Sequence, residues 1–316
     1  MVPEGWKITS LGEVCDGNLQ TGPFGSQLHA NEYTASGIPV LMPKDFVDGK
    51  VNISDAAKIS HKRASDLSKH RLQAGDLLFS RRGDVTRFAL ITEELAGALC
   101  GTGCLRARPS SKHTPAFLAY FLQKNAVRKW LEQNAVGQTM PNMNTAILSE
   151  LPLMVSTSTS EEEKIARILS TWDKAIETVK KLIENSKAQK KALMQQLLTG
   201  KRRLPGFDEE WKTIRLDDVL DGKKRKGKIV PTNDEKRGVA YIGSTSFNGD
   251  FGIYTDSSDA VICSPKDILV LWDGENAGKA TTGLSGAVSS TVVRCRIDES
   301  KANSRFITYN LFEGQL

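Results

Sequence analysis

Residues 6–14 read W-K-I-T-S-L-G-E-V, and residues 211–219 read W-K-T-I-R-L-D-D-V. Trp6, Lys7, Leu11 and Val14 recur as Trp211, Lys212, Leu216 and Val219, an offset of 205 (211 − 6). Moving outward, the resemblance keeps its order. Ala74-Gly-Asp-Leu-Leu-Phe79 matches Pro265-Lys-Asp-Ile-Leu-Val270, and Arg82-Gly83-Asp84 falls opposite Asp273-Gly274-Glu275. Gly97-Ala98 recurs as Gly286-Ala287, and Phe117–Leu122 as Phe306–Leu311. Similarity of several blocks in the same order marks a duplicated domain. Within each copy, short apolar runs stand between segments rich in Gly, Asn, Asp and Pro, which predicts strands joined by turns. The runs are Ile38–Met42, Leu77–Phe79 and Phe88–Ile91, then Val239–Ile242, Ile268–Trp272 and Ser290–Cys295. Residues 115–134 space Phe117, Tyr120, Phe121, Leu122, Trp130 and Leu131 as a helix would. The expected fold class is α+β: two similar mostly-β domains, each closed by a helix, joined by one long coiled-coil-forming helix.

The joining segment has a different texture. Ser160-Glu-Glu-Glu163 predicts a capping box, in which Ser160 caps the free amides and Glu163 reaches back. Ile165, Leu169, Trp172, Ile176, Val179, Ile183, Ser186, Lys190, Leu193 and Leu197 then step by fours and threes. That is a coiled-coil seam with two polar interruptions, some 60 Å long at about 1.5 Å per residue, stopped at Gly200. A stripe this narrow and this long calls for another long helix against it; the other reading is a helix packed on its own domain. The domains expected are 1–155, a central helix at 156–204, and 205–316. Only five residues follow Leu311, whereas 78 separate Leu122 from Gly200 in the first copy, so the second copy is expected to lack its last elements and the partner helix.

Composition excludes several classes. The 316 residues are 39% hydrophobic and 25% charged, which suits folded domains rather than disorder or collagen. No apolar run reaches the roughly 18 residues that span a membrane, and the opening Met-Val-Pro-Glu-Gly-Trp, without a basic start and apolar stretch, is not expected to be a secretory leader. Cys15, Cys100, Cys104, Cys263 and Cys295 are odd in number and scattered, as reduced thiols in a cytoplasm would be. No enzyme constellation stands out. Gly274-Glu-Asn-Ala-Gly278-Lys279-Ala280 is a residue short between its glycines for a phosphate loop and lacks Ser or Thr after Lys279. Cys100 and Cys104 have no second pair, His29, His61, His70 and His113 read as surface or capping residues, and Asp76 and Asp84 as turn and surface acids.

Basic and polar residues do recur on turns. Ser80-Arg81-Arg82-Gly83-Asp84-Val85-Thr86-Arg87 follows a predicted strand. Its arginines can bridge guanine or a phosphate, and Asp84 can accept from cytosine or orient an arginine. Gln138, Thr139, Asn142 and Asn144 in the stretch 137–144 carry groups suited to adenine. The second copy offers Asp273, Glu275, Asn276 and Lys279 on the equivalent loop, and Ser244 and Thr245 after another predicted strand. Lys201-Arg202-Arg203 and the run Lys223, Lys224, Arg225, Lys226 and Lys228 can neutralise phosphates without sequence choice. The other reading of each loop and run is a solvated surface.

In sequence order, P-E-G-W-K at 3–7, T-G-P-F-G-S at 21–26, A-G-D-L-L-F-S-R at 74–81, G-Q-T-M-P-N-M-N at 137–144, E-E-E-K-I-A-R-I-L-S-T-W-D-K-A-I-E at 161–177 and L-L-T-G-K-R-R-L-P-G-F at 197–207 give the chain its family likeness. It resembles the specificity subunit of type I restriction–modification enzymes. The resemblance implies two target-recognition domains, each reading half of a split DNA site, on helices that set the spacing. It implies two modification subunits and a restriction/translocase subunit as partners, with S-adenosylmethionine, ATP and Mg²⁺ on those partners and no cofactor or catalysis on this chain. The shortened second copy leaves two alternatives: an incomplete subunit, or one that self-pairs through Ile165–Leu197 to read a symmetric site. Two other classes stay open, an enzyme acting alone on nucleic acid and a protein-binding scaffold.

Overall fold

The computed structural model describes residues 2–137 and 141–313. The chain divides into two compact units, Met1–Thr178 and Val179–Leu316. The division falls inside the long helix, so each part of that helix groups with its own β domain.

Unit 1 begins with β1 (Trp6–Ser10), α1 (Leu11–Val14) and β2 (Leu19–Thr21). The Ser10 side chain caps α1 by accepting from the Glu13 amide at 3.2 Å. Then come β3 (Tyr33–Thr34), β4 (Ile38–Leu41), a small hairpin of β5 (Phe46–Val47) and β6 (Lys50–Val51), β7 (Ala57–Ile59) and α2 (His61–Asp66). β8 (Leu77–Ser80), β9 (Phe88–Leu90), β10 (Leu99–Cys100) and β11 (Cys104–Ala107) follow, with α3 (Pro115–Leu122), α4 (Asn125–Asn134), α5 (Thr145–Ser149) and β12 (Pro152–Ser156). The strands form two four-stranded sheets, β2-β11-β8-β9 and β10-β4-β7-β3, and β12 returns antiparallel to β1.

β8 shows why its sequence is a continuous apolar run. Leu77 and Phe79 face a core shared with Phe117, Leu118 and Leu131 of the helices, while Leu78 faces a second core with Leu41 and Cys104. A strand covered on both faces has no polar side to alternate. The helix expected over 115–134 is two helices. Lys124 is extended (φ −66°, ψ 139°) and restarts the chain at α4, so that Val127 and Leu131 also reach the core.

Unit 2 repeats this plan with β13 (Arg225–Lys226), β14 (Val239–Ile242), β15 (Tyr254–Thr255), β16 (Val261–Cys263), β17 (Ile268–Leu271), β18 (Ala280–Thr281), β19 (Gly286–Val288) and β20 (Val292–Cys295). The order β13-β20-β17-β18 is that of β2-β11-β8-β9. The parallel pair β14–β19 matches β4–β10, and β15 pairs with β14 as β7 does with β4. β16 on β19 corresponds to the single bridge between Arg71 and Leu99. Trp6 packs at a tilt against Phe117, ring centroids 5.8 Å apart, and Trp211 likewise against Phe306 at 5.5 Å, the latter in α7 (Ser304–Glu313). Gly37 (φ +132°) and Gly238 (φ +82°) recur with the same need. A Cβ there would stand 2.2 Å from the Ile59 carbonyl oxygen and 2.1 Å from that of Thr255.

The long helix α6 runs Thr159–Leu197 as one element of 39 residues. Its start corrects the expected capping box. Ser160 already lies inside the helix, and the Glu161 and Glu162 amides bond to the Ser158 carbonyl. The acids work instead as tethers within unit 1. Glu161 accepts from the Trp6 indole at 3.3 Å and from the Ser156 hydroxyl. Glu162, fully buried, accepts from the Thr114 amide at 2.7 Å and contacts His113 Nδ1 at 3.0 Å. Tyr120 donates to Asp173 at 2.7 Å. Of the seam, Ile165 packs against the unit 1 core, while Leu169, Trp172, Ile176, Val179, Ile183 and Leu193 are exposed, Trp172 at 67%. Gly200 adopts φ +73° just past the helix end, as expected of a stop.

Asp76 and His70 correct their sequence readings, because both are buried. Asp76 makes two bonds to the Arg108 guanidinium, at 2.6 and 2.8 Å, and accepts from the Gln73 amide at 2.8 Å. These bonds raise the Arg108 pKa above its ordinary value. The arrangement recurs as Asp267, which meets Arg296 at 3.1 Å and the Ser264 amide at 2.9 Å. All five cysteines are buried and free, and burial pushes the Cys100 thiol up to about 12. Among the described residues, no helix is long and apolar enough to cross a membrane.

Burial, helped by Lys69 and Arg106, lowers the pKa of His70. The native state therefore favours the neutral ring. The stability this contributes is complete above the ordinary histidine value of 6.5 and is lost as pH falls through it towards the lower native pKa. Between pH 7 and 5, calorimetric melting of wild type is expected to decline more steeply than that of His70→Gln. Parallel curves would contradict this.

Candidate nucleic-acid interface

The loop between β8 and β9 is held at its base and open at its tip. Ser80 is fully buried, its amide bonds to the Arg87 carbonyl at 2.9 Å, and its hydroxyl donates to the Arg82 carbonyl at 3.0 Å. Ser80 therefore shapes the loop and cannot reach a base edge, which corrects its place among the reading residues. Val85 is buried and pins the middle of the loop. Arg82, Gly83, Asp84 and Arg87 remain exposed around Gly83 at φ +73°.

Asp84 and Arg87 form an ion pair at 3.1 Å, both 46% exposed, and Asp84 also accepts from the Thr86 amide and hydroxyl. Partial burial acts to raise the Asp84 pKa. The bonds from Thr86 and Arg87 outweigh it and hold the carboxyl below its ordinary value. Arg87 is thereby aimed, with a further donation to the Pro43 carbonyl at 3.5 Å.

The structure brings the second candidate segment against this loop. Arg82 and Asn142 form a β-bridge, the Gly83 amide donates to the Pro141 carbonyl at 3.1 Å, and the Met143 amide donates to the Arg81 carbonyl at 2.8 Å. Asn142 Oδ1 is buried without a partner. Asn144 is a different case. Its side chain caps α5 by accepting from the Ile147 amide at 2.8 Å, so its amide is committed to structure. Gln138 and Thr139 lie outside the described residues. Sequence reasoning did not assign Phe24, which is 57% exposed and lies under the Arg81 guanidinium at 5.6 Å. An exposed aromatic beside an arginine offers a stacking face as well as charge. Its signal was the Pro23-Phe24-Gly25 turn, where an aromatic has no core to enter.

In unit 2 the equivalent loop, 272–279, is exposed throughout. It closes through the Gly278 amide to the Leu271 carbonyl, and the Leu271 amide to the Lys279 carbonyl, both at 2.8 Å. Asp273, Glu275, Asn276 and Lys279 project from it, with Trp272, 65% exposed, at its start. Ser244 and Thr245 are exposed beyond the end of β14, in the other sheet. Lys224 turns to Asp217 at 2.9 Å, while Lys226 lies 5.9 Å from the Trp272 ring. The two units thus hold loops of different chemistry, arginine-rich and acid-amide, on one frame.

Comparison with known proteins agrees with this architecture. The putative type I restriction enzyme MjaX specificity subunit of Methanocaldococcus jannaschii is 26% identical over 293 residues, covering 85% of this chain and 67% of that protein. Three further type I specificity subunits align over 25% to 41% of their own length. The S subunit of the type I restriction-modification system from M. genitalium shares the fold at a TM-score of 0.62 and 16% identity, covering 99% of this chain and 78% of that one. The HsdS subunit of Thermoanaerobacter tengcongensis shares it at 0.50 and 20%, covering 98% and 80%. The model of the type I restriction modification DNA specificity domain matches residues 3–185, and the chain belongs to that family.

Proposed function

We propose that this chain is the DNA-reading subunit of a type I restriction–modification complex. Unit 1 reads one half of a split target and unit 2 the other, and the helix seam holds the assembly. The observation that carries this reading is the meeting of the Arg81–Arg87 loop with Asn142 in unit 1. It brings the exposed Arg82 and Arg87 guanidiniums together with the 141–144 segment at the end of one hairpin, and unit 2 repeats the hairpin with other side chains. Phosphate contacts would position each unit, and base-edge contacts would choose the sequence. Methyl transfer, translocation and cleavage belong in this scheme to two modification subunits and a restriction subunit. Those partners would hold S-adenosylmethionine, ATP and Mg²⁺ in a cytoplasmic complex.

A second reading, self-pairing of the chain to recognise a symmetric site, is favoured by the exposed seam from Leu169 to Leu193. Arg82→Ala tests the main reading. Losing one bidentate base contact removes about 1–3 kcal/mol of discrimination, so methylation directed by the reconstituted complex should lose preference at one half-site by about 5- to 150-fold. Unchanged preference in a folded variant would remove Arg82 from the reading set.

A further inference from the structure

We infer that unit 2 holds a phosphate-binding cleft between β13, β16 and β20, whose occupant is the backbone of duplex DNA beside the 272–279 loop. The cleft has a volume of about 620 Å³ and is lined by Arg225, Lys226, Lys228, Arg294 and Arg296, with Asp259 as the only acid in its lining. Arg296 is answered by Asp267. Arg294 gives one bond to the Ile262 carbonyl at 2.7 Å and leaves its Nε buried without a partner. So many cations around one opening repel one another unless an anion enters, and guanidinium forks match phosphate oxygens.

The duplicate domain shows that the frame does not require this charge. Register places Gln20 opposite Arg106 where unit 2 has Arg225 opposite Arg294. In unit 1 the place is closed. Arg106 is 6% exposed and donates to Asn18 at 2.7 Å, and Gln20 meets the buried His70 at 3.5 Å. At the matching offsets unit 2 has Lys223 for Asn18 (18 + 205), Arg225 for Gln20 (20 + 205) and Val261 for His70 (70 + 191). Lys223 and Arg225 thus replace the acceptor Asn18 and the amide Gln20, and the apolar Val261 replaces the buried His70. Lys226 near Trp272 makes the cleft continuous with the loop that unit 2 presents for reading. A duplex whose bases meet that loop carries its phosphates past the cleft.

This inference rests on the DNA-reading function above, and its test separates the two. The full chain and its Arg225→Ser/Lys228→Ser variant are titrated with a random-sequence 30-base-pair duplex over a range of chloride concentrations. Lys62→Ser/Lys69→Ser, exposed lysines of unit 1, matches the change in net charge. The cleft variant should lose about 1.8 from the slope of log affinity against log salt, at about 0.9 per phosphate, while the control keeps the wild-type slope. Equal slopes in wild type and cleft variant, or an equal loss in the control, overturn the cleft. If wild type shows no salt-dependent binding, the DNA-reading function fails and the DNA occupant with it. Melting in inorganic phosphate at matched ionic strength covers the other source. Stabilisation of wild type over the cleft variant, with equal DNA slopes, would make the occupant a free anion and overturn DNA.

Discussion

Asp76→Ala is expected to lower the stability of unit 1 by about 3 kcal/mol, the lower end of what removing one member of a buried ion pair costs. The carboxylate is fully buried and Arg108 is 24% exposed, so water reaches only part of the guanidinium left behind. The Gln73 amide loses its acceptor as well. For a unit of this size the loss corresponds to a fall of about 6–12 °C in melting temperature, readable by calorimetry. Arg108→Ala should cost at least as much, because it strands the buried charge itself. Asp267→Ala should cost less, since Arg296 is 45% exposed and can be hydrated. A loss below about 1 kcal/mol for Asp76→Ala would show that the pair is not a keystone of the frame.

Trp172→Asp combined with Ile176→Asp is expected to weaken helix-mediated assembly by at least a hundredfold. Each large apolar side chain that an assembled seam covers contributes about 1.5–3 kcal/mol, and a carboxylate in its place must be desolvated. Both residues are exposed in the chain by itself, at 67% and 53%, so its melting temperature should hold. Sedimentation of the chain alone and with co-expressed modification subunits checks this. Loss of a wild-type homodimer supports self-pairing, and loss of only the mixed complex supports docking of partners. Unchanged assembly in both would mean that the seam is not the contact.

The duplication was legible because core strands and turn glycines repeat in order, and the structure returns the same strand order in one sheet of each unit, β2-β11-β8-β9 and β13-β20-β17-β18. The long helix was legible from its period. Its first turn was not, because the string Ser-Glu-Glu-Glu reads as a cap whether its acids fold back or reach into a neighbouring domain. Ser80 was misread because a polar residue ending a strand covered on both faces looks like the first residue of the loop. Asn144 looked like a reading amide because caps and base contacts use the same group. Asp76 lacked its partner in any local window, since Arg108 lies 32 residues away. Both halves of the Arg82–Asn142 meeting could be named from sequence, but their contact depends on tertiary structure. The same holds for the cleft in unit 2, where the run at 223–228 was visible while Arg294 comes from the neighbouring strand and Arg296 from just past its end.

The three carboxylates that fasten the start of α6 have a consequence for how unit 1 is aimed. Successive residues of a helix point about 100° apart around its axis. Glu161, Glu162 and Asp173 are each held to fixed points on the β domain, so that domain cannot swivel about the rod on which Leu169 and Trp172 are mounted. Handle and shaft turn together, as in a crank. Any molecule that grips those side chains therefore also chooses the compass bearing at which Arg82 and Arg87 face outward.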